Sequence, residues 1–163
     1  MATIKVITDL ERVGDEATKI ARAAQAIAAR SGTVAAPVGH YAMVRMIADG
    51  ATDMLHDALD AFARLDAKQA TAIIAHDDVV DHGFRVVMRN LITFMMEDPR
   101  TISGALDTLW VAKALERIGD HATNIAEYVI YIVQGKDVRH SQWQGPESIQ
   151  TSAATTSVDN AQQ

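Results

Sequence analysis

The sequence predicts an all-α protein of long antiparallel helices, on three observations. Alanine is abundant while the 163 residues include only three Pro, three Phe and nine Gly, and alanine loses no side-chain entropy in a helix. Apolar residues recur at spacings of three and four, the period of a helix face. Residues 10–21, Leu10 to Ala21, return as residues 115–126, Leu115 to Ala126, with nine of twelve positions identical. Two stretches 105 residues apart that agree this well are two copies of one structural unit. The length is that of about one domain, and 48% apolar content is enough for a sizeable core.

The first helix is expected from about Thr3 to Arg30, stopping in Ser31-Gly32, with Pro37 and Gly39 confirming the break. The second, about His40 to Leu65, carries Met43, Met46, Ile47, Gly50, Met54, Leu55, Ala58 and Phe62 as one buried face. Asp66 is placed to cap the third helix, with Gln69 three residues on completing a capping-box pattern. That helix, about Ala67 to Met96, ends at Glu97-Asp98-Pro99, where Asp98 caps and Pro99 opens the fourth. The fourth runs to about Gln134 and Gly135 closes it. Short turns between helices force antiparallel neighbours, so the last three form a three-helix bundle. From about Gln144 onward Ser, Thr, Gln, Asn and Ala dominate, and residues 141–163 are expected to be a disordered tail.

Charge and composition exclude several function classes. A formal net charge of −6 with no Lys/Arg cluster along the chain leaves no footprint for a phosphate backbone, so nucleic acid is not an expected partner. Without cysteine there are no disulfides or thiolate metal sites, and nothing at the N-terminus reads as a signal peptide. The expected compartment is the cytoplasm. No apolar run reaches the roughly 18 residues of a membrane span, so membrane association is expected only through partners.

The acidic residues carry the sharpest signal. On the third helix the columns Ala70, Asp77, Phe84, Leu91 and Ile74, Asp81, Met88, Met95 place Asp77 and Asp81 in a stripe that is otherwise core. Like charges at i and i+4 repel, and an ionised carboxylate buried alone is costly, so a cation, a proton or a hydrogen-bond network is expected there. On the fourth helix the column Ile102, Leu109, Glu116, Thr123, Ile130 sets Glu116 among apolar neighbours. Asp120 follows one turn on, and Asn124 and Glu127 extend that side. Pairing Asp77 and Asp81 against Glu116 and Asp120 gives four carboxylates with no His or Cys, a hard-ligand set suited to Mg²⁺, Mn²⁺, Ca²⁺ or oxygen-ligated iron.

A bland alternative stays open. Leu115, Ile118, Ala122, Ile125, Val129 and Ile132 form a stripe opposite Glu116, so the acids could be a solvated face paired with Lys113 or Arg117. Favouring a site are the repeat of Glu-Arg-x-Gly-Asp and the mid-helix Gly14 and Gly119, each costing about 1 kcal/mol against Ala and suggesting close approach of another group. His76, His82, His121 and His140 lack metal-ligand spacing with one another and read as surface residues. The Met43, Met46, Met54, Met88, Met95 and Met96 set reads as adaptable core packing. The sequence has no Gly-rich phosphate loop and no Ser/His/Asp or Cys/His arrangement.

Glu11-Arg12-Val13-Gly14-Asp15 and Glu116 through Glu127 together resemble the signature of the PhoU family, the accessory proteins of phosphate-specific transport. The resemblance extends to residues 54–63, the Phe94–Asp98 turn and residues 135–140, and covers about residues 3–140. It implies two tandem three-helix bundles in a complete member, each with a metal motif on its last helix. On that basis residues 1–38 correspond to the last helix of a first bundle plus linker, N-terminally shortened, and 39–140 to the complete second bundle. The implied motif ligands are Glu11, Asp15, Glu116 and Asp120, with Asp77 and Asp81 contributing across the second bundle. Glu11 and Asp15 have no facing carboxylates in this chain, and Ile4, Val6, Val13 and Ile20 are expected to seek burial against helix two or another subunit. The resemblance further implies a cytoplasmic, commonly homodimeric regulator that is not an enzyme. Its implied partners are the phosphate ABC transporter ATPase and the phosphate sensor histidine kinase, which it restrains when phosphate is plentiful. The alternatives are a metal-dependent hydrolase using the carboxylate cluster and a purely structural bundle.

Overall fold

A computed structural model of the protein describes residues 2–29 and 38–135. The expected linker around residues 31–39 falls mostly outside these residues, and the tail at 141–163 entirely so. The chain forms α1 (Ala2–Ala29), α2 (Val38–Arg64), α3 (Ala67–Glu97), a 3₁₀ turn (Pro99–Thr101) and α4 (Ile102–Gln134), with no strand among the described residues.

Local chemistry sets the helix ends. At the end of α2 the Asp66 N–H donates to the Ala61 carbonyl at 2.9 Å and the Leu65 N–H to that of Phe62 at 3.4 Å. This is the bond pair of a Schellman stop. It puts Leu65 at φ 54, a left-handed conformation that costs a residue with a Cβ about 1 kcal/mol. Asp66 then accepts from the amides of Lys68 and Gln69 at 2.9 and 3.0 Å, as its cap role requires. Only half of the capping box forms, because the Asp66 N–H that Gln69 would satisfy already serves Ala61. Asp98 and Pro99 open a 3₁₀ turn rather than α4 itself: Asp98 caps that turn through the Arg100 amide, and α4 starts at Ile102, three residues after Pro99, with Thr101 as an N-cap that makes no side-chain cap bond. Gly135 closes α4 at φ 66, its N–H returning to Tyr131.

α2, α3 and α4 pack side by side as the expected bundle, while among the described residues α1 packs on α4 alone. The apolar face of α1 therefore finds α4, not helix two. Val6 is buried and Val13 and Ile20 pack against the core, whereas Ile4 stays 68% exposed. α1 runs antiparallel to α4: Lys5 lies over Tyr128, Asp9 meets His121, and Glu16 meets Arg117. To serve three neighbours α4 must be buried over a wide arc, and small residues allow it. Ala105, Ala112, Ala122 and Ala126 are fully buried beside Ile125, Val129 and Ile130.

Glycines bring the bundle helices together. A Cβ on Gly119 of α4 would sit 3.4 Å from Val80, and one on Gly50 of α2 would meet the same Val80 at 3.4 Å. Val80 is thus wedged between two glycines, while Gly83 faces Ile47 so closely that a Cβ would stand at 3.0 Å. Gly14 is different: nothing lies within 4 Å of its Cβ position, so the close approach expected there is absent among the described residues. Two methionines expected in the core are also outside it, Met46 at 63% and Met96 at 80% exposure, on the flank of α2 and in the last turn of α3. Met54 is buried as expected.

The α1–α4 seam holds two buried carboxylates that the sequence reading passed over. Asp9 Oδ1 lies 2.8 Å from His121 Nδ1 and accepts from Asn124 Nδ2 at 3.3 Å. Glu16 accepts from Lys19 at 2.8 Å and from Arg117 at 3.1 Å. His121, read from sequence as a surface residue, is 12% exposed because α1 covers it. Deleting Asp9 leaves His121 and Asn124 without their acceptor, a loss of about 1–3 kcal/mol. Asp9→Ala is therefore expected to speed hydrogen exchange across residues 2–29 while leaving the amides of α2 and α3 near their wild-type protection. Uniform loss of protection in all four helices would show that α1 is not a separately docked element.

Candidate metal centre

The packing of α3 on α4 decides the site. Asp77 and Asp81 lie one turn apart on α3, and Glu116 and Asp120 one turn apart on α4. Because Gly119 has no side chain, Asp77 Oδ1 comes within 3.8 Å of the Cβ position there, so the two acidic rows face each other. One carboxylate oxygen each from Asp81, Glu116 and Asp120 lie within 4.8 Å of one another. Oxygens bound to one cation at 2.0–2.6 Å are separated by up to roughly 4–5 Å, so these three residues could hold a hard divalent ion.

Crowded like charges shape the electrostatics of the cluster. Burial, then the neighbouring Asp81, push the Asp77 carboxyl above its ordinary value. The Thr123 hydroxyl opposes that rise, although it is buried and stops short of hydrogen-bond geometry with any group. Asp120 is pushed up to about 6, by burial first and then by Glu116 and Asp77, with Lys113 opposing. Four acids so close cannot all ionise freely without a cation. Lys113 supplies part of that charge: its ammonium grips both oxygens of Glu116 and lies 5.2 Å from the Phe84 ring centroid. Lys113 is one of the two cations expected to pair with Glu116 on a solvated face, and that ion pair coexists with the cluster.

The remaining candidate residues lie elsewhere. Glu11 and Asp15 are exposed on the side of α1 away from α4 and are not brought to the other four. Asn124 turns to Asp9 on the α1 side. Glu127 is half-buried and outside the trio. The buried acids of α1 are instead Asp9 and Glu16, and a signal for them was available. Val6, Asp9, Val13, Glu16 and Ile20 follow the same three-and-four spacing that exposed Asp77 and Asp81.

Comparison with known proteins places this architecture. Residues 44–129 match the PhoU domain model. A phosphate-specific transport system accessory protein PhoU homolog of Pseudomonas putida is 51% identical over 136 residues, 83% of this chain and 52% of that protein. The PhoU protein of Escherichia coli K12 is 41% identical over 86% of this chain and 56% of its own length. The crystal structure of PhoU from Pseudomonas aeruginosa aligns with a TM-score of 0.77 at 47% identity, covering 83% of this chain and 63% of that one. The chain thus spans a little over half the length of the curated relatives it matches.

Asp120 makes stability depend on pH in a definite sense. Its folded-state value of about 6 lies above the ordinary 3.8, so the folded state holds the proton more tightly than the unfolded one. The associated stability is complete below about pH 4 and is lost as pH rises through about 6. The helices packed around it desolvate the Asp120 carboxyl, but the residue as a whole keeps wide contact with solvent, so screening cuts the effect to about 1 kcal/mol. In chelator-treated protein, Asp120→Asn is expected to raise the melting temperature at pH 7 and to shrink the stability loss between pH 4 and 6, part of which remains with Asp77. A variant whose stability fell in parallel with wild type across that range would contradict the assignment.

Proposed function

The chain belongs to the PhoU family, and from that premise we propose that it is a non-enzymatic accessory regulator of phosphate uptake and a negative regulator of the phosphate regulon. In this reading it acts in the cytoplasm as a homodimer and binds the phosphate transporter ATPase and the phosphate sensor histidine kinase. The observation that carries the proposal is the PhoU domain match over residues 44–129, which covers the whole of α3 and most of α2 and α4. The accessory role named for relatives that are 41–51% identical supports it. No helix among the described residues is long and apolar enough to cross a membrane, so contact with the transporter in this scheme runs through partner proteins.

The same reading assigns a metal to the α3–α4 cluster. Asp81, Glu116 and Asp120 would hold a divalent or trivalent ion of the oxygen-seeking class (Mg²⁺, Mn²⁺, Ca²⁺ or iron), with Asp77 beside them. Bound there, the ion would supply charge that neutralises the facing acidic rows and locks α3 to α4. Glu11 and Asp15 complete the proposed ligand set only if carboxylates from outside the described residues face them. Lys113, as the internal cation on Glu116, competes with the ion for that carboxylate.

Two experiments test these proposals. Glu116→Ala combined with Asp120→Ala is expected to lower metal content per chain, measured by elemental analysis after loading and desalting. Equal content in wild type and double variant would sink the site. Tagged co-purification from phosphate-replete cells is expected to recover the transporter ATPase or the sensor kinase. A folded bait that recovers neither would overturn the adaptor role.

A further inference from the structure

Outside the carboxylate cluster, the seam between α1 and α4 opens into a groove of about 360 Å³, within the range of small-molecule sites. Its walls carry Lys19 and Arg22 from α1 and Lys113 and Arg117 from α4, against a single carboxylate, Glu16. A chain of net charge −6 has here gathered four cations into one concavity; Glu16 and Glu116 pair with three of them, which leaves a surplus of about two positive charges. Nothing in the linear sequence marks the cluster, because the two pairs are about ninety residues apart and meet only through antiparallel packing.

The cations are held in place before any ligand arrives. Glu16, its side chain 6% exposed, accepts from both Lys19 and Arg117 and fixes their heads at the rim. Lys113 is anchored by Glu116 and the Phe84 ring. Arg22 makes no ion pair among the described residues, so its guanidinium is free to fork onto an anion. Trp110, 67% exposed, stands on the same groove, and Ala23 and Ala114 line it with little bulk. An exposed indole beside guanidinium and ammonium groups suits a ligand with a flat ring at one end and phosphate at the other. Base–aromatic stacking and charge-assisted phosphate contacts are the standard means of holding such a molecule.

We infer that this groove binds a nucleoside phosphate, with its phosphates on Lys19, Arg22 and Arg117 and its base stacked on Trp110. The proposed contacts lie outside the carboxylate cluster, which the groove touches only through Lys113, and they do not need a bound ion. The test uses the full chain carrying Trp143→Phe, so that Trp110 is the only indole. In chelator-containing buffer it is titrated with ADP, adenosine and inorganic phosphate while tryptophan emission is followed. ADP is expected to quench the emission saturably, with adenosine and phosphate each binding at least about tenfold more weakly. Arg22→Gln, a change at an exposed position, is expected to weaken ADP roughly tenfold with no change in melting temperature. Trp110→Leu, followed by calorimetry, is expected to weaken ADP and leave phosphate unaffected. The inference fails if ADP shows no saturable binding at millimolar concentration. It fails equally if phosphate alone binds as tightly as ADP, or if Arg22→Gln leaves the affinity unchanged.

Discussion

Everything in this molecule hangs on α4 being buried along two opposite flanks at once. A helix can be packed on both flanks only if it is thin, and α4 is thinned by Ala105, Ala112, Ala114, Gly119, Ala122 and Ala126, all buried. Isoleucine and valine fill the layers between them, each large side chain worth about 1.5–3 kcal/mol of burial. Were α4 an ordinary one-faced amphipathic helix, α1 would have nowhere to dock. The groove and the His121–Asp9 contact would then not exist.

The two flanks of α4 carry different chemistry. Toward α3 lie Glu116 and Asp120, with Gly119 between them admitting Val80 and Asp77. Toward α1 lie Arg117, His121 and Asn124, which serve the buried acids Asp9 and Glu16. Lys113 belongs to both, since it grips Glu116 and lines the groove above Glu16.

The repeated dodecapeptide gains a physical meaning from this arrangement. Residues of α1 that pack on α4 are Val6, Asp9, Val13, Glu16 and Ile20, and the matching α4 positions Val111, Ala114, Ile118, His121 and Ile125 are buried or half-buried. The two copies thus meet through the same face, antiparallel, as related units do about a two-fold axis. The face that carries Glu116, Gly119 and Asp120 in α4 is covered by α3. Its counterpart in α1, Glu11, Gly14 and Asp15, is exposed, which is why Gly14 has no neighbour while Gly119 has three.

Sequence alone determined the helices, because their signals are local. Three-and-four periodicity, Asp66 as a cap and Gly135 as the stop each act within one turn of chain, and the ends fall within about two residues of expectation except the start of α4, where Asp98 and Pro99 open a 3₁₀ turn and the α-helix begins at Ile102. It also singled out Asp77, Asp81, Glu116 and Asp120, since a charge in a core stripe is visible as a break in pattern. Tertiary structure decided which stripes meet. Periodicity says that a face is buried but not by what, so α1 on α4, His121 under α1 and the gathering of Lys19 and Arg22 with Lys113 and Arg117 were not legible. Charges far apart in sequence repel or cooperate only once packing fixes the distance between them, and the sequence does not encode that distance locally.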